Sequence, residues 1–183
     1  MSRQKIIDSA ISVLNEDFSA PLDKIAVKAG LSRRTLHRYF KDRTSLIGAC
    51  TTDMMQTWQS AMLDAYNSTT DPVIQLERML YAGIDCGAKY AFLTKLHAQS
   101  ATGNTMQYAT NTAYESARDN WFGLVPALQQ RQIINDKLSV AWIRILFTGM
   151  ITSTIAALQS GDIAPNDVKK LAWYSFRRSI GID

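Results

Sequence analysis

The chain has little of what most enzymes and metalloproteins rely on. It holds two histidines in 183 residues, His37 and His97, and neither sits at triad or metal-ligand spacing with cysteines or acids. The two cysteines, Cys50 and Cys86, have no ligand pattern around them. They read as small buried apolar residues in a reducing compartment. No Gly-rich phosphate loop occurs. These absences argue against an enzyme and against a bound metal or cofactor. Met1 to Ile7 lacks the apolar core of a secretory leader, so the cytoplasm is the expected location. Strand-like alternation is scarce, and repeats and low-complexity segments are missing. One long apolar run exists, Val140 to Leu158, but it carries Arg144, Gly149 and the hydroxyls of Thr148, Thr152, Ser153 and Thr154. A lipid-spanning helix rarely bears that load. The run is read as a buried helix of a soluble protein, and no membrane partner is expected.

Helical periodicity fills what remains. At 46% hydrophobic and 20% charged, the composition is that of an ordinary folded protein. An all-α fold of about nine helices is expected. The first runs from about Arg3 to Asn15 with Ile6, Ile7, Ala10, Ile11 and Leu14 on one stripe. Pro21 opens a short second helix that Gly30 stops, and Ser32 caps a third, from about Arg33 to Phe40. A fourth reaches from Thr44 or Ser45 to Tyr66, a fifth from Pro72 to Cys86 or Gly87, and a short one covers about Tyr90 to Gln99. Pro126 should interrupt a long helix that ends near Gln130. Asn135-Asp136 is expected to cap the next, lasting to about Gln159, and Pro165 opens the last.

Charge divides the chain. Residues 1–50 hold nine Lys/Arg against five Asp/Glu, while the rest holds eleven of each. The whole excess therefore lies in the first quarter, which points to an anionic partner for that segment. Two domains are expected, 1–45 and 46–183.

Within the basic segment, Ala26, Gly30 and Leu36 have the spacing of a helix-turn-helix. Ala26 is small enough for two helices to cross, Gly30 tolerates the φ > 0 of a tight turn, and Leu36 locks the second helix. Ile25, Leu31 and Phe40 complete a small core. Arg33, Arg34, Thr35, His37, Arg38 and Tyr39 are left on the outward face. Such a helix suits the major groove of duplex DNA, with Arg reading guanine and Tyr or Thr reaching phosphates.

Residues Ile6 to Cys50 resemble the N-terminal domain of TetR-type transcription regulators. The matching pieces are Ile-Ile-Asp-Ser-Ala near the start, Asp23-Lys24-Ile25-Ala26, Ala29-Gly30-Leu31-Ser32, and Thr35 through Arg43 with Leu46. The resemblance implies that Arg33, Arg34 and Thr35 contact bases, and that Tyr39 and Arg43 contact phosphates. His37 stands where the family usually has Tyr, and Arg43 where it has Lys. Pro21-Leu22 replaces hydroxyl residues common at the head of the second helix, and Asp23 repels phosphate, so that helix should contribute little. The resemblance also implies a C-terminal ligand-sensing core and a dimer interface on the last two helices.

The neutral part permits both. Met54, Trp58, Met62, Tyr81, Phe92, Tyr108, Tyr114 and Trp121 are adaptable or aromatic side chains that suit an apolar pocket, though each also suits an ordinary core. Trp142, Ile145, Leu146 and Met150, with Trp173 and Tyr174 of the last helix, are the expected dimer residues. A dimer is favoured because one recognition helix reads too few bases for specificity. The expected function is a homodimeric transcription regulator, a repressor bound to a palindromic operator in double-stranded DNA and released by a small, mostly apolar effector. The alternative is a ligand-independent architectural DNA-binding protein whose C-terminal part only dimerises.

Overall fold

The structure, a computed structural model, describes residues 3–93 and 112–183, with the side chain of Tyr114 outside the description. Among the described residues there are nine helices and no strand: α1 Arg3–Glu16, α2 Leu22–Ala29, α3 Arg33–Tyr39, α4 Arg43–Asn67, α5 Pro72–Lys89, α6 Thr112–Gly123, α7 Val125–Gln130, α8 Val140–Ser160 and α9 Pro165–Ser179. The expected helix over Tyr90 to Gln99 is seen only at its start, Ala91 to Leu93, and the rest lies outside the described residues. His97 lies there too. The interruption expected at Pro126 is found: the helix breaks at Leu124 into α6 and α7, with Pro126 in the first turn of α7.

The chain divides into two compact units. The first holds residues up to Thr57 together with a stretch beginning at Lys89. The second holds Trp58–Ala88 and the stretch from Ala109 onward. The expected boundary at 45/46 falls inside α4, which runs unbroken from Arg43 to Asn67.

In the first unit, the α1 stripe of Ile6, Ile7, Ala10, Ile11 and Leu14 is buried, as its 3.6-residue spacing dictates. It meets Ile25, Ala26 and Ala29 of α2, and Leu36, Phe40, Leu46 and Cys50 are buried alongside. The stretch after Lys89 is stitched into the same unit. Asn15 donates from Nδ2 to the Lys89 carbonyl at 2.8 Å and accepts the Phe92 N–H on Oδ1 at 2.9 Å. The Tyr90 hydroxyl donates to Asp53 at 2.5 Å, and Phe92 stacks on Phe18 with ring centroids 6.4 Å apart. Burial, and then the Asp53 hydrogen bond, push the Tyr90 hydroxyl pKa up.

The second unit packs α5 close against α8. This closeness needs glycine: a Cβ at Gly87 would lie 2.2 Å from Ile155 Cδ1, and one at Gly83 would lie 2.6 Å from Ile151 Cδ1. Phe122, Phe147 and Phe176 form an edge-to-face chain at centroid spacings of 6.3 and 5.6 Å. One helix start differs from the expectation. Ser139, not Asn135-Asp136, caps α8, accepting the Trp142 N–H at 3.2 Å. Asn135 is engaged elsewhere, because its Oδ1 takes the Lys137 N–H and its own N–H donates to the Ile180 carbonyl at 2.8 Å. Nor is α8 buried all round. Ile143, Phe147, Ile151, Thr154 and Ile155 face inward, and the opposite face is bare in the single chain. By length and composition alone α8 is apolar enough to cross a membrane, yet its inward face is already packed in a helical core.

Candidate nucleic-acid interface and internal cavity

The helix pair is built as its residues require. Gly30 adopts φ 70° and ψ 37°, and its N–H and that of Leu31 reach back to close the end of α2. Ser32 then accepts the Thr35 N–H at 3.2 Å and starts α3. Leu36 and Phe40 point inward, which leaves Arg33, Arg34, His37, Arg38 and Tyr39 exposed on the other side and Thr35 half-buried.

These side chains differ in how they are held. Arg33 reaches back to Asp23 of α2 at 3.3 Å, an exposed pair of little energetic weight. Arg34 makes no ion pair among the described residues. Arg38 lies 5.7 Å from the Tyr39 ring centroid. His37 Nδ1 is 3.2 Å from the Lys41 carbonyl. A carbonyl only accepts, so Nδ1 carries the proton. The Thr35 hydroxyl is 3.0 Å from that of Ser32, tied into the helix cap.

Arg43 departs from its expected place at a phosphate. Its guanidinium donates to the carbonyls of Phe18 and Ala20 and lies 5.3 Å from the Phe18 ring centroid. The physical reason is that the α1–α2 turn presents two carbonyls without helical partners, and a forked donor fits both. Missed from the sequence was the cap of α4. Asp42 accepts the Ser45 N–H at 2.8 Å, while Ser45 Oγ accepts the Asp42 N–H at 3.2 Å. The backbone hydrogen bond from Ser45 holds the Asp42 carboxyl below its usual range. An acid three residues before a serine, at the head of an apolar-periodic stretch, was the readable signal.

The second unit holds a partly open cavity of about 210 Å³. Its apolar walls are Trp58, Met62, Met79, Phe122 and Phe147, and Arg118, Arg144 and Thr148 supply its polar lining. Of the expected pocket residues, Trp58 and Met62 are therefore brought together. Met54 and Phe92 belong to the first unit, where Phe92 is core. Trp121 is fully buried, with its indole N–H donating to the Pro72 carbonyl at 3.0 Å, and it packs edge-on against Phe122 behind the wall. Tyr81 donates to Glu77 at 2.8 Å and borders a separate open groove with Trp173 and Tyr174. Burial, aided by Glu77, pushes its hydroxyl pKa up to about 12. Tyr108 and the Tyr114 side chain lie outside the described residues. The two arginines of the cavity carried no signal in the apolar pattern.

On α8, Trp142 is 49% exposed and Ile145 59%; on α9, Leu171 is 48% exposed and Tyr174 55%. A Cβ at Gly149 would meet nothing within 4 Å, and the shallow groove there is lined by Ala141, Ile145, Thr148, Thr152 and Ser153 among others. Leu146 and Met150 are half-buried. Trp173, expected on this face, is instead buried and tilted against Phe176, because it completes the aromatic chain of the core. Among the described residues no group of three His, Cys, Asp or Glu side chains is placed to hold a metal ion.

No protein-family model matches the chain. Over 93 residues it is 32% identical to the HTH-type transcriptional repressor LfrR of Mycolicibacterium smegmatis, covering 50% of this chain and 49% of that protein. The aligned part thus spans about half the length of the curated relative it matches. In structure the likeness runs further. The crystal structure of the TetR-like regulator LfrR from Mycobacterium smegmatis in complex with proflavine superposes with a TM-score of 0.65 over 97% of this chain and 95% of that one, at 21% identity. The chain has the TetR-type fold. The fatty acid degradation regulator FadR of Bacillus halodurans shares it with a TM-score of 0.66 and 16% identity, over 94% and 93% of the two chains. Bacillus subtilis FadR in complex with stearoyl-CoA shares it with a TM-score of 0.65 and 18% identity, over 98% of each. The resemblance first carried by residues 6–50 therefore extends, as a TetR-type fold, over nearly the whole chain.

Proposed function

We propose that this chain is a sequence-specific DNA-binding transcription regulator that acts as a homodimer and is released from its operator by a small molecule. The observation that carries the reading is the outward face of α3. Arg34, His37 and Arg38 stand exposed on a helix fixed by the Gly30 turn and the Ser32 cap. Side chains held this way reach base edges in a major groove, with Arg34 best placed to bind guanine O6 and N7. The 32% identity with a repressor supports the same reading.

The dimer follows from α8 and α9. Exposed apolar side chains on α8, Trp142 and Ile145, and on α9, Leu171 and Tyr174, need a cover. A second copy supplies one with two-fold symmetry and gives two recognition helices for a palindromic site. The effector reading rests on the cavity of the second unit, and on relatives whose structures hold proflavine or stearoyl-CoA. An effector that prefers a spacing of the two recognition helices unsuited to DNA lowers operator affinity by mass action.

Selection of the purified chain against a random duplex library, with binding repeated at low and near-physiological salt, tests this reading. An enriched palindrome bound by two chains is the expected result. Binding without an enriched sequence, collapsing with salt, would instead mark an architectural DNA-binding protein.

A further inference from the structure

We infer that the cavity of the second unit takes an organic anion: a carboxylate or similar acid on a short apolar body. This deepens, and rests on, the reading of that cavity as the effector site. The charge around the cavity is one-sided. Arg118 and Arg144 both line it, and among the described residues no other lining side chain is charged. The Arg144 guanidinium lies 5.6 Å from the ring centroid of Phe122, itself a wall, so the cation is held at the cavity. Asp119 pairs with Arg118 at 2.9 Å but is largely exposed and does not line the cavity. Among the described residues Arg144 has no ion pair.

Three occupants respond differently to that arrangement. A neutral apolar molecule strips water from the arginines and returns no hydrogen bond. A cation meets like charge at both arginines. An anion restores what desolvation removes, through forked, charge-assisted hydrogen bonds that guanidinium geometry favours. Size limits the body. A cavity of about 210 Å³ holds about seven groups of water size at roughly 30 Å³ each. That space fits the tail of an eight-carbon acid with its head at the arginines. The apolar walls, Trp58, Met62 and Met79 among them, suit the tail.

The test uses the full chain and three probes of equal tail length: octanoate, octanol and octyltrimethylammonium. Each is titrated by calorimetry and by the fluorescence of Trp58, which lines the cavity. Octanoate is expected to bind at least tenfold more tightly than either other probe. Arg144→Gln and Arg118→Gln are each expected to weaken octanoate tenfold or more. Arg144→Lys keeps the charge and should retain more affinity than Arg144→Gln. Arg144 is exposed, so its variants report binding without loss of fold, as their melting curves will check. The inference is overturned by equal or tighter binding of the cation or the alcohol, by absence of saturable octanoate binding, or by unchanged octanoate affinity in both glutamine variants. The same titration on the chain bound to its selected duplex separates this inference from the effector reading. Octanoate that binds but leaves DNA in place supports the anion site and defeats the effector. A cation that binds the cavity and releases DNA does the reverse.

Discussion

Replacing Arg43 by alanine distinguishes a brace from a DNA contact. The side chain is half-buried and donates to two carbonyls in the α1–α2 turn, with the Phe18 ring beneath it. A hydrogen bond to a charged group contributes about 1.5–3 kcal/mol. Two such bonds, discounted by about half because water reaches the site, give a loss of about 1.5–3 kcal/mol. For a chain of this size that lowers the melting temperature by about 3–12 °C. Arg43→Lys offers one ammonium in place of a fork and should recover roughly half of the loss. Calorimetric melting of the three proteins measures the effect. DNA binding at several salt concentrations supplies the control, because a residue that touches no phosphate leaves the salt slope where it was. Wild-type melting of Arg43→Ala, together with a slope shallower by about 0.9, would refute the inward placement.

Arg34→Ala should cost about 1–3 kcal/mol of operator affinity and relax preference at one base position, as read by repeating the library selection. Unchanged affinity and preference would move the recognition surface off α3. Ile145→Glu places a charge in the middle of the bare α8 face and should shift the sedimenting species from dimer to monomer; a persisting dimer would put the interface elsewhere. A methyl group at Gly83 would lie 2.6 Å from Ile151 Cδ1, 3.1 Å from Met62 Cε and 3.2 Å from Trp58 Cη2. Gly83→Ala should therefore destabilise by about 1–2 kcal/mol, overpacking outweighing the helix-propensity gain, and should weaken octanoate binding by narrowing the cavity; a raised melting temperature would contradict that packing.

The helix-turn-helix was legible because it is written locally. Ala26, Gly30, Ser32 and Leu36 act over a few residues each, so a turn, a cap and a buried contact follow from spacing alone. What depended on distant partners was not legible. Asn135 looked like a helix cap, but the Ile180 carbonyl and its own turn claim it. The family resemblance places Arg43 at a phosphate, yet its acceptors lie 23 and 25 residues away. The pocket residues scattered for a similar reason. Periodicity tells which face of a helix turns inward, not which cavity or core that face meets, so Trp58 and Met62 reached the cavity while Phe92 and Trp121 became core. Arg118 and Arg144 escaped because a search for apolar side chains passes over cations.

The hold of Asn15 on the Phe92 backbone has a consequence for biosynthesis. Phe92 leaves the ribosome 77 residues after Asn15, which at about 5–20 residues per second is a delay of roughly 4–15 s. Through that interval the nascent N-terminal segment lacks Tyr90 and Phe92, both buried in the finished unit, and leaves the apolar surface they cover in contact with water and with other chains. A fragment cut after the helix-turn-helix would stay in that state permanently, so the portable form of this DNA-binding element is a longer piece of the gene than its motif marks out.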